Sequence, residues 1–347
     1  MMELDKLIRP NILALSPYST ARDEYAGGTI ATFLDANESP YDNGLNRYPD
    51  PHHHLLRNKL SKIKGVTADS IFIGNGSDEP IDIIYRVFCR PTIDNVVMIA
   101  PTYGMYKVSA AINDVEIREV ALDAEFSLQA DKVLKATDNN TKVIFLCSPN
   151  NPSANILSRD EVSKIAEGFN GIVVIDEAYV DFCTDYRSFL KDLTLYDNII
   201  VLQTLSKAWG MAGVRFGMAF ASPDIIMVMN KVKYPYNINT LTQKRVLAEL
   251  DKVEEVHIRC QEIISEREKL IKELQKITEI EKIFPSDANF VLVKTADPNK
   301  LYNYLVCNGV IVRNRNSIFL CEGCLRITVG KSDENQKIIK LLKSYEW

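Results

Sequence analysis

The chain predicts an α/β protein, with a large domain whose mainly parallel sheet is sandwiched by helices and a smaller α+β domain. Three observations carry this. Short β-branched runs such as Ile172-Val173-Val174-Ile175 and Ile199-Ile200-Val201-Leu202 read as strands buried on both faces, as in a parallel sheet. Helical periodicity alternates with such runs until about residue 220, the pattern of βαβ units. Near Tyr234-Pro235-Tyr236 the pattern changes to a long charged amphipathic stretch.

Taken in order, residues 1–40 are irregular and rich in Pro, Asn and Asp, and are expected to form an arm packing with the smaller domain. A helix is expected over 53–64, ending at Gly65. Ile71-Phe72-Ile73 then leads through Gly74-Asn75-Gly76 into Ser77-Asp78-Glu79-Pro80 and a helix to Phe88. Strands are expected at 95–100, 116–120, 143–147, 172–176, 199–203 and 217–220, with helices near 103–111, 128–135 and 159–168. The stretch 240–276 is too long for one ordinary helix without a break. A strand (289–294), a helix (299–307), two strands (310–313 and 325–329) and a last helix after Ser332-Asp333 complete the chain. The expected division is an arm at 1–40, a large domain at 41–240 and a small domain at 241–347.

The 347 residues suffice for two domains with sizeable cores. A net charge of −5 without a basic block argues against a nucleic-acid surface. No apolar run approaches the roughly 20 residues that span a bilayer. The opening residues carry charge at once and lack the apolar core of a signal peptide, so the expected compartment is the cytoplasm. Seven scattered cysteines suit free thiols there. Cys321-Glu322-Gly323-Cys324 has redox or zinc half-site spacing, but no second pair accompanies it, and no metal is expected. His52-His53-His54 reads as a solvated helix start.

The chemistry lies at strand ends, where open α/β sheets bind ligands. Asp176 closes one apolar run, Lys207 follows another, and Arg215 comes shortly after. Acid, amine and guanidinium match the ring nitrogen, aldehyde and phosphate of pyridoxal 5'-phosphate. A lysine amine attacks an aldehyde only when neutral, whereas free lysine has a pKa of about 10.4. Desolvation and a neighbouring cation such as Arg215 lower it. Thr204 and Ser206 offer hydroxyls beside Lys207, and Arg215 offers a bidentate fork for phosphate. Asp176 would keep the pyridine ring protonated, the state in which it is a strong electron sink. Tyr179 and Asn151 each reach a strand end and could hydrogen-bond the ring's phenolic oxygen. Gly76-Ser77-Asp78-Glu79-Pro80 is a strand-to-helix turn whose free N–H groups suit an anion, with Ser77 as cap and the acids turned outward. Tyr103, just past a strand, could stack on a ring.

These residues spell out a family. Asp35-Ala36-Asn37-Glu38-Ser39-Pro40, Asn46-Arg47-Tyr48-Pro49-Asp50-Pro51, Gly74-Asn75-Gly76-Ser77-Asp78-Glu79 and Ser148-Pro149-Asn150-Asn151-Pro152 belong to its motif series. So do Asp176-Glu177-Ala178-Tyr179, Thr204-Leu205-Ser206-Lys207-Ala208, Ala212-Gly213-Val214-Arg215-Phe216-Gly217 and Leu325-Arg326-Ile327-Thr328-Val329-Gly330. Through them the chain resembles the fold-type I pyridoxal-phosphate aminotransferases, and among these the histidinol-phosphate branch. The resemblance implies that Lys207 is the Schiff-base lysine and proton shuttle, working with Asp176 at the ring nitrogen and Tyr179 at the phenolic oxygen. It implies Asn151 and Tyr103 as further ring contacts, and Ser77, Asp78, Thr204, Ser206 and Arg215 around the phosphate. Tyr48 would reach the phosphate of a partner subunit's cofactor, implying a homodimer with shared sites. Arg326 would hold the amino donor's carboxylate and, with Arg313, the phosphate of the imidazole substrate. Tyr18 and Asn37 would lie on the substrate side.

The implied reaction belongs to histidine biosynthesis: imidazole-acetol phosphate and L-glutamate give L-histidinol phosphate and 2-oxoglutarate. A threonine-phosphate decarboxylase or a broad aromatic aminotransferase would share the cofactor residues and differ only in substrate contacts. A pyridoxal-phosphate-dependent regulator would need a DNA-binding module, and no basic helix offers one. One position departs from the family pattern. Ala154 stands where glycine is usual, in a turn that wants positive φ, at a cost of roughly 1 kcal/mol.

Overall fold

The computed structural model describes residues 3–19, 32–184 and 187–346. Strands β1 (Ile71–Asn75), β2 (Asn95–Ala100), β3 (Glu116–Ala121), β4 (Thr141–Cys147), β5 (Ile172–Asp176), β6 (Ile199–Thr204) and β7 (Phe216–Phe220) form a seven-stranded sheet in the order β1-β7-β6-β5-β4-β2-β3. Strand β7 runs antiparallel to both β1 and β6, whereas β2, β3, β4, β5 and β6 pair in parallel. The β-branched runs are buried on both faces because alternate side chains enter different cores. Val173 and Ile175 join one apolar cluster, while Ile172 and Val174 join the other.

Helices α1 (Leu4–Leu7), α2 (Pro10–Leu13), α3 (His54–Lys64), α4 (Asp78–Phe88), α5 (Met105–Ile112), α6 (Ala130–Lys135), α7 (Arg159–Gly168) and α8 (Pro223–Val232) flank this sheet. The apolar stripes of α4, α5 and α8 cover the face of Ile172 and Val174, and those of α3, α6 and α7 cover the other. The sequence pattern had not disclosed α8, because Ser222-Pro223-Asp224 reads as a turn. Proline at the first helical position starts a helix equally well.

The arm is less irregular than expected at its beginning. Ile8 and Ile12 are buried in the cluster of α4 and α8, and the Arg9 N–H and guanidinium donate to Val87 O and Arg86 O at 2.9 and 3.0 Å. Residues 4–13 therefore lie on the helices of the large sheet, not on the smaller unit. The arm's residues 20–31 lie outside the described residues.

The expected break in the long amphipathic stretch separates α9 (Thr240–Glu249) from α10 (Val253–Leu274). Strands β8 (Ile280–Ile283), β9 (Phe290–Thr295), β10 (Arg313–Asn314) and β11 (Cys324–Thr328) form an antiparallel sheet, β10-β11-β9-β8, with α11 (Pro298–Cys307) and α12 (Ser332–Ser344). Strand β8 was not anticipated, and β10 is shorter than expected. On β9, Val291 and Val293 face α10, α11 and α12, while Phe290 and Leu292 join the core of the large sheet. One strand thus anchors the small unit to the large one.

Candidate functional site

Three parallel strands and one glycine turn deliver the predicted side chains to one place. Asp176 is the last residue of β5, Asn151 follows β4, and Thr204 ends β6 just before Ser206 and Lys207. Together with Ser77, Asp78, Tyr103, Tyr179 and Arg215 they line a single cavity. Strand register makes this possible: Asp176 pairs with Leu202 on one side and Cys147 on the other.

Asp176 is buried, and burial raises its pKa to about 6 from 3.8. Two donors oppose that rise: Tyr106 Oη donates to Oδ2 at 2.7 Å and the Ala178 N–H to Oδ1 at 3.1 Å. Tyr106 is itself fully buried and stacked on Phe145, with ring centroids 4.8 Å apart. Its hydroxyl is pushed well above the ordinary tyrosine range by burial and then by Asp176. Sequence reasoning stopped at Tyr103 and missed Tyr106. A second tyrosine one helical turn on is by itself an ordinary helix position, and its bond to Asp176 appears only in the fold.

Lys207 keeps contact with solvent, yet desolvation is the largest influence on its amine and lowers its pKa. Arg326 and Arg215 push it the same way, against the pull of Asp176 and Asp78. Its Nζ lies 5.5 Å from the centroid of the Tyr179 ring.

At the cavity's other end, Asp78 accepts from Arg215 Nη2 at 3.1 Å and from Tyr103 Oη at 3.0 Å. Of the two acids in the first turn of α4, only Glu79 turns away, accepting the Asn75 N–H at 2.5 Å and Asn237 Nδ2 at 3.0 Å. Asp78 faces inward, contrary to expectation, because Arg215 and Tyr103 hold it there. Ser77 occupies the N-cap position without a side-chain capping bond, so no side chain of its own blocks the amides of that turn. Gly76 sits at φ +69, and a Cβ there would meet Arg215 Nη2 at 2.5 Å. The Thr204 hydroxyl lies 3.0 Å from Ser206 Oγ and accepts the Ser206 N–H at 3.1 Å.

Asn151 bridges Tyr179, expected at the cofactor, and Arg326, expected at the substrate. Its Nδ2 donates to Tyr179 Oη at 3.3 Å, and its Oδ1 accepts from Arg326 Nη1. Arg326 comes from β11, its guanidinium 5.0 Å above the Phe290 ring, and burial lowers its pKa. Arg313 is its register partner on β10 and stays exposed.

Of the predicted residues, Arg326 meets this cavity only through Asn151 and Arg313 does not line it, and three more lie apart from it. Tyr48 is 48% exposed, stacks on Tyr236 at 4.4 Å and lines a separate groove with Asn37. Tyr18, 74% exposed, lies in another cleft beside Met227 and Lys231 of α8. The anchoring of Ile12 and Arg9 on the large-sheet helices carries Tyr18 to that side. His53 also departs from expectation. The helix begins only at His54, and His53 is buried at φ +54 with Nε2 unbonded. Burial and then Lys233 lower its pKa to about 3. Cys321 and Cys324 are buried free thiols in one turn, raised to about 12 and about 11 by burial. Among the described residues no cluster of His, Cys, Asp and Glu could hold a metal, and no helix is long and apolar enough to cross a membrane.

The sequence profile of the family "Aminotransferase class I and II" matches residues 22–342. A histidinol-phosphate aminotransferase of Parabacteroides distasonis is 53% identical over 344 residues, covering 99% of each chain. Among solved structures, a histidinol-phosphate aminotransferase from Clostridium acetobutylicum superposes with a TM-score of 0.79 at 24% identity, over 86% of this chain and 90% of that one. Another from Sinorhizobium meliloti, in complex with pyridoxal-5'-phosphate, gives 0.78 at 20% identity, over 86% and 83%. At such identities the structural likeness speaks to the fold.

Proposed function

The chain belongs to the class I and II aminotransferases, and from that premise we propose that it moves the amino group of L-glutamate to imidazole-acetol phosphate. The products are L-histidinol phosphate and 2-oxoglutarate, a transamination of histidine biosynthesis. The full-length histidinol-phosphate relative supports this substrate pair. The observation that carries the chemistry is the meeting of Asp176, Lys207 and Arg215 in one cavity, within reach of Arg326.

Pyridoxal 5'-phosphate is the cofactor of this family; when bound, it supplies an electron sink that lets the substrate's α-proton leave. The residues present fit it. A buried acid suits the ring nitrogen, a lysine of lowered pKa suits the aldehyde, and Arg215 beside a helix start without a side-chain cap suits the phosphate. Lys207, with its pKa lowered chiefly by desolvation, is the amine that would hold the cofactor's aldehyde end. Its neutral Nζ would also serve as the base that takes and returns the substrate's proton. Asp176, ionised, would keep a proton on the ring nitrogen, and Tyr106 and Ala178 hold Asp176 in place. Asn151 and Tyr179, hydrogen-bonded to each other, would hold the phenolic oxygen, and Tyr103 would lie against the ring. Arg215, the hydroxyls of Thr204 and Ser206, and the backbone of Ser77 and Asp78 would hold the phosphate, with the Asp78 carboxylate kept on Arg215 and Tyr103. Arg326 and Arg313 take the anionic ends of both substrates, with Tyr18 and Asn37 on the substrate side.

Two copies form a homodimer, with Tyr48 of each reaching the phosphate in the other's site; its exposure outside its own chain's cavity supports this. The proposed compartment is the cytoplasm, where the seven cysteines stay reduced. The test is a panel of keto acids with glutamate, scored by 2-oxoglutarate formed. Preference for imidazole-acetol phosphate is expected. Equal rates with phenylpyruvate, or CO2 from phosphothreonine, would replace this reading with one of its siblings. Lys207→Ala should abolish turnover while leaving a weakly held yellow cofactor, and retained transamination would remove Lys207 from its role.

A further inference from the structure

The arginines at the substrate end number three. Arg313 pairs with Arg326 across β10 and β11, and the ladder continues one step as the Arg315 N–H donates to Cys324 O at 2.9 Å. Side chains two apart on a strand share a face, as do register partners, so Arg313, Arg315 and Arg326 project from the same side. That side looks toward the lysine cavity, because Arg326 Nη1 reaches Asn151 there. Arg315 is only partly exposed, and its Nε is sealed from solvent without a hydrogen bond; Arg326 Nε is in the same condition. No ion pair engages any of the three among the described residues. Burying unpaired guanidinium nitrogens side by side is unfavourable unless an anion completes them. Burial, then Arg326 and Arg313, lower the Arg315 pKa to about 10, and Tyr179 also acts on it, which puts Arg315 within the field of the site.

We propose that Arg315 is a specificity residue, completing with Arg313 and Arg326 a three-arginine seat for the phosphate monoester of the keto substrate. The inference rests on the substrate reading above and adds a residue to it. A carboxylate has two oxygens and one charge, and one guanidinium fork satisfies it. A phosphate monoester has three terminal oxygens and nearly two charges at neutral pH, enough to engage further forks. Arg315 therefore discriminates: it strengthens binding of the phosphorylated substrate and contributes little to glutamate, whose carboxylates Arg326 and Arg313 suffice to hold.

The experiment compares holoenzyme of the parent, Arg315→Gln and Arg315→Lys. Inorganic phosphate is titrated as a competitor of glutamate, read from the absorbance change of the bound cofactor in the glutamate half-reaction. KM and kcat are then measured separately for imidazole-acetol phosphate and for glutamate. Losing a charge-assisted contact should weaken phosphate inhibition about 10-fold or more in R315Q. The KM of the phosphorylated substrate should rise similarly, with kcat and the glutamate KM unchanged. R315K, which keeps the charge and the strand but loses the fork, should fall between and covers the case in which R315Q folds poorly. Phosphate inhibition equal in the parent and both variants overturns the proposal, as does an equal rise in both KM values. The phosphate titration needs no keto substrate, so a wrong substrate reading appears in the parent enzyme and a wrong role for Arg315 appears in the comparison.

Discussion

The role proposed for Asp176 needs the ionised acid, yet its surroundings favour the neutral one. Burial raises its pKa to about 6, and only two donors resist. Because the folded value exceeds the unfolded one, near 3.8, the folded state binds the proton more tightly. Stability from this group is then lost as pH climbs from about 4 to about 6. For a fully buried carboxyl the loss approaches about 3 kcal/mol. Cofactor-free Asp176→Asn should accordingly gain on the parent between pH 4 and pH 7 in urea denaturation. A difference that stays constant across that range would show that Asp176 is not strained. Tyr106→Phe removes the strongest local donor. It should weaken cofactor binding several-fold, roughly the worth of one hydrogen bond to a charged group, and move the acid limb of the kcat profile upward. An unmoved limb would make Tyr106 a packing residue only. Residues at this scale were legible where a motif named them. Tyr106 and Arg315 were not, since nothing in a linear pattern distinguishes a buried hydroxyl that meets Asp176, or a third arginine on a shared face, from ordinary helix and strand positions.

Turns and strands show what an element demands of its residues. Ala154 adopts φ +72 and is fully buried, so the strain expected from its place in the motif is met in the backbone. Glycine there would relieve roughly 1 kcal/mol of left-handed strain. It would also forfeit a buried methyl worth about 0.8 kcal/mol. The two nearly cancel, and Ala154→Gly should shift unfolding stability by less than about 1 kcal/mol; a change beyond twice that, in either direction, would contradict the balance. Gly217 offers no such compromise. A Cβ at that position would meet the Gly76 carbonyl carbon at 2.2 Å and Ser77 N at 2.3 Å. Gly217→Ala should push β7 away from the glycine turn and cost cofactor affinity well before it costs the fold, measurable by cofactor titration beside thermal unfolding. Strand periodicity and the glycine turn made these elements readable. Helix α8 and strand β8 escaped because a proline start mimics a turn and a four-residue edge strand carries little pattern.

At the scale of the whole molecule, Tyr48, Asn37 and Tyr18 lie outside the cavity that holds Lys207. Sequence spacing places residues on strands and loops; it does not say which surface a second copy covers, so these three were the least legible part of the site. If Tyr48 serves the neighbouring site, mixing inactive Lys207→Ala with a weakened Tyr48→Ala variant should recover activity above either alone. Each mixed dimer would hold one site with both residues intact. Recovery no greater than the sum of the separate variants would assign each site to a single chain. Asn151 has a consequence for how the two units communicate. Its amide gives its hydrogen to Tyr179 and its oxygen to Arg326, with no bridging group between. An anion docking on that guanidinium would compete with the amide oxygen, so a filled substrate end would be felt at the phenol through one planar group.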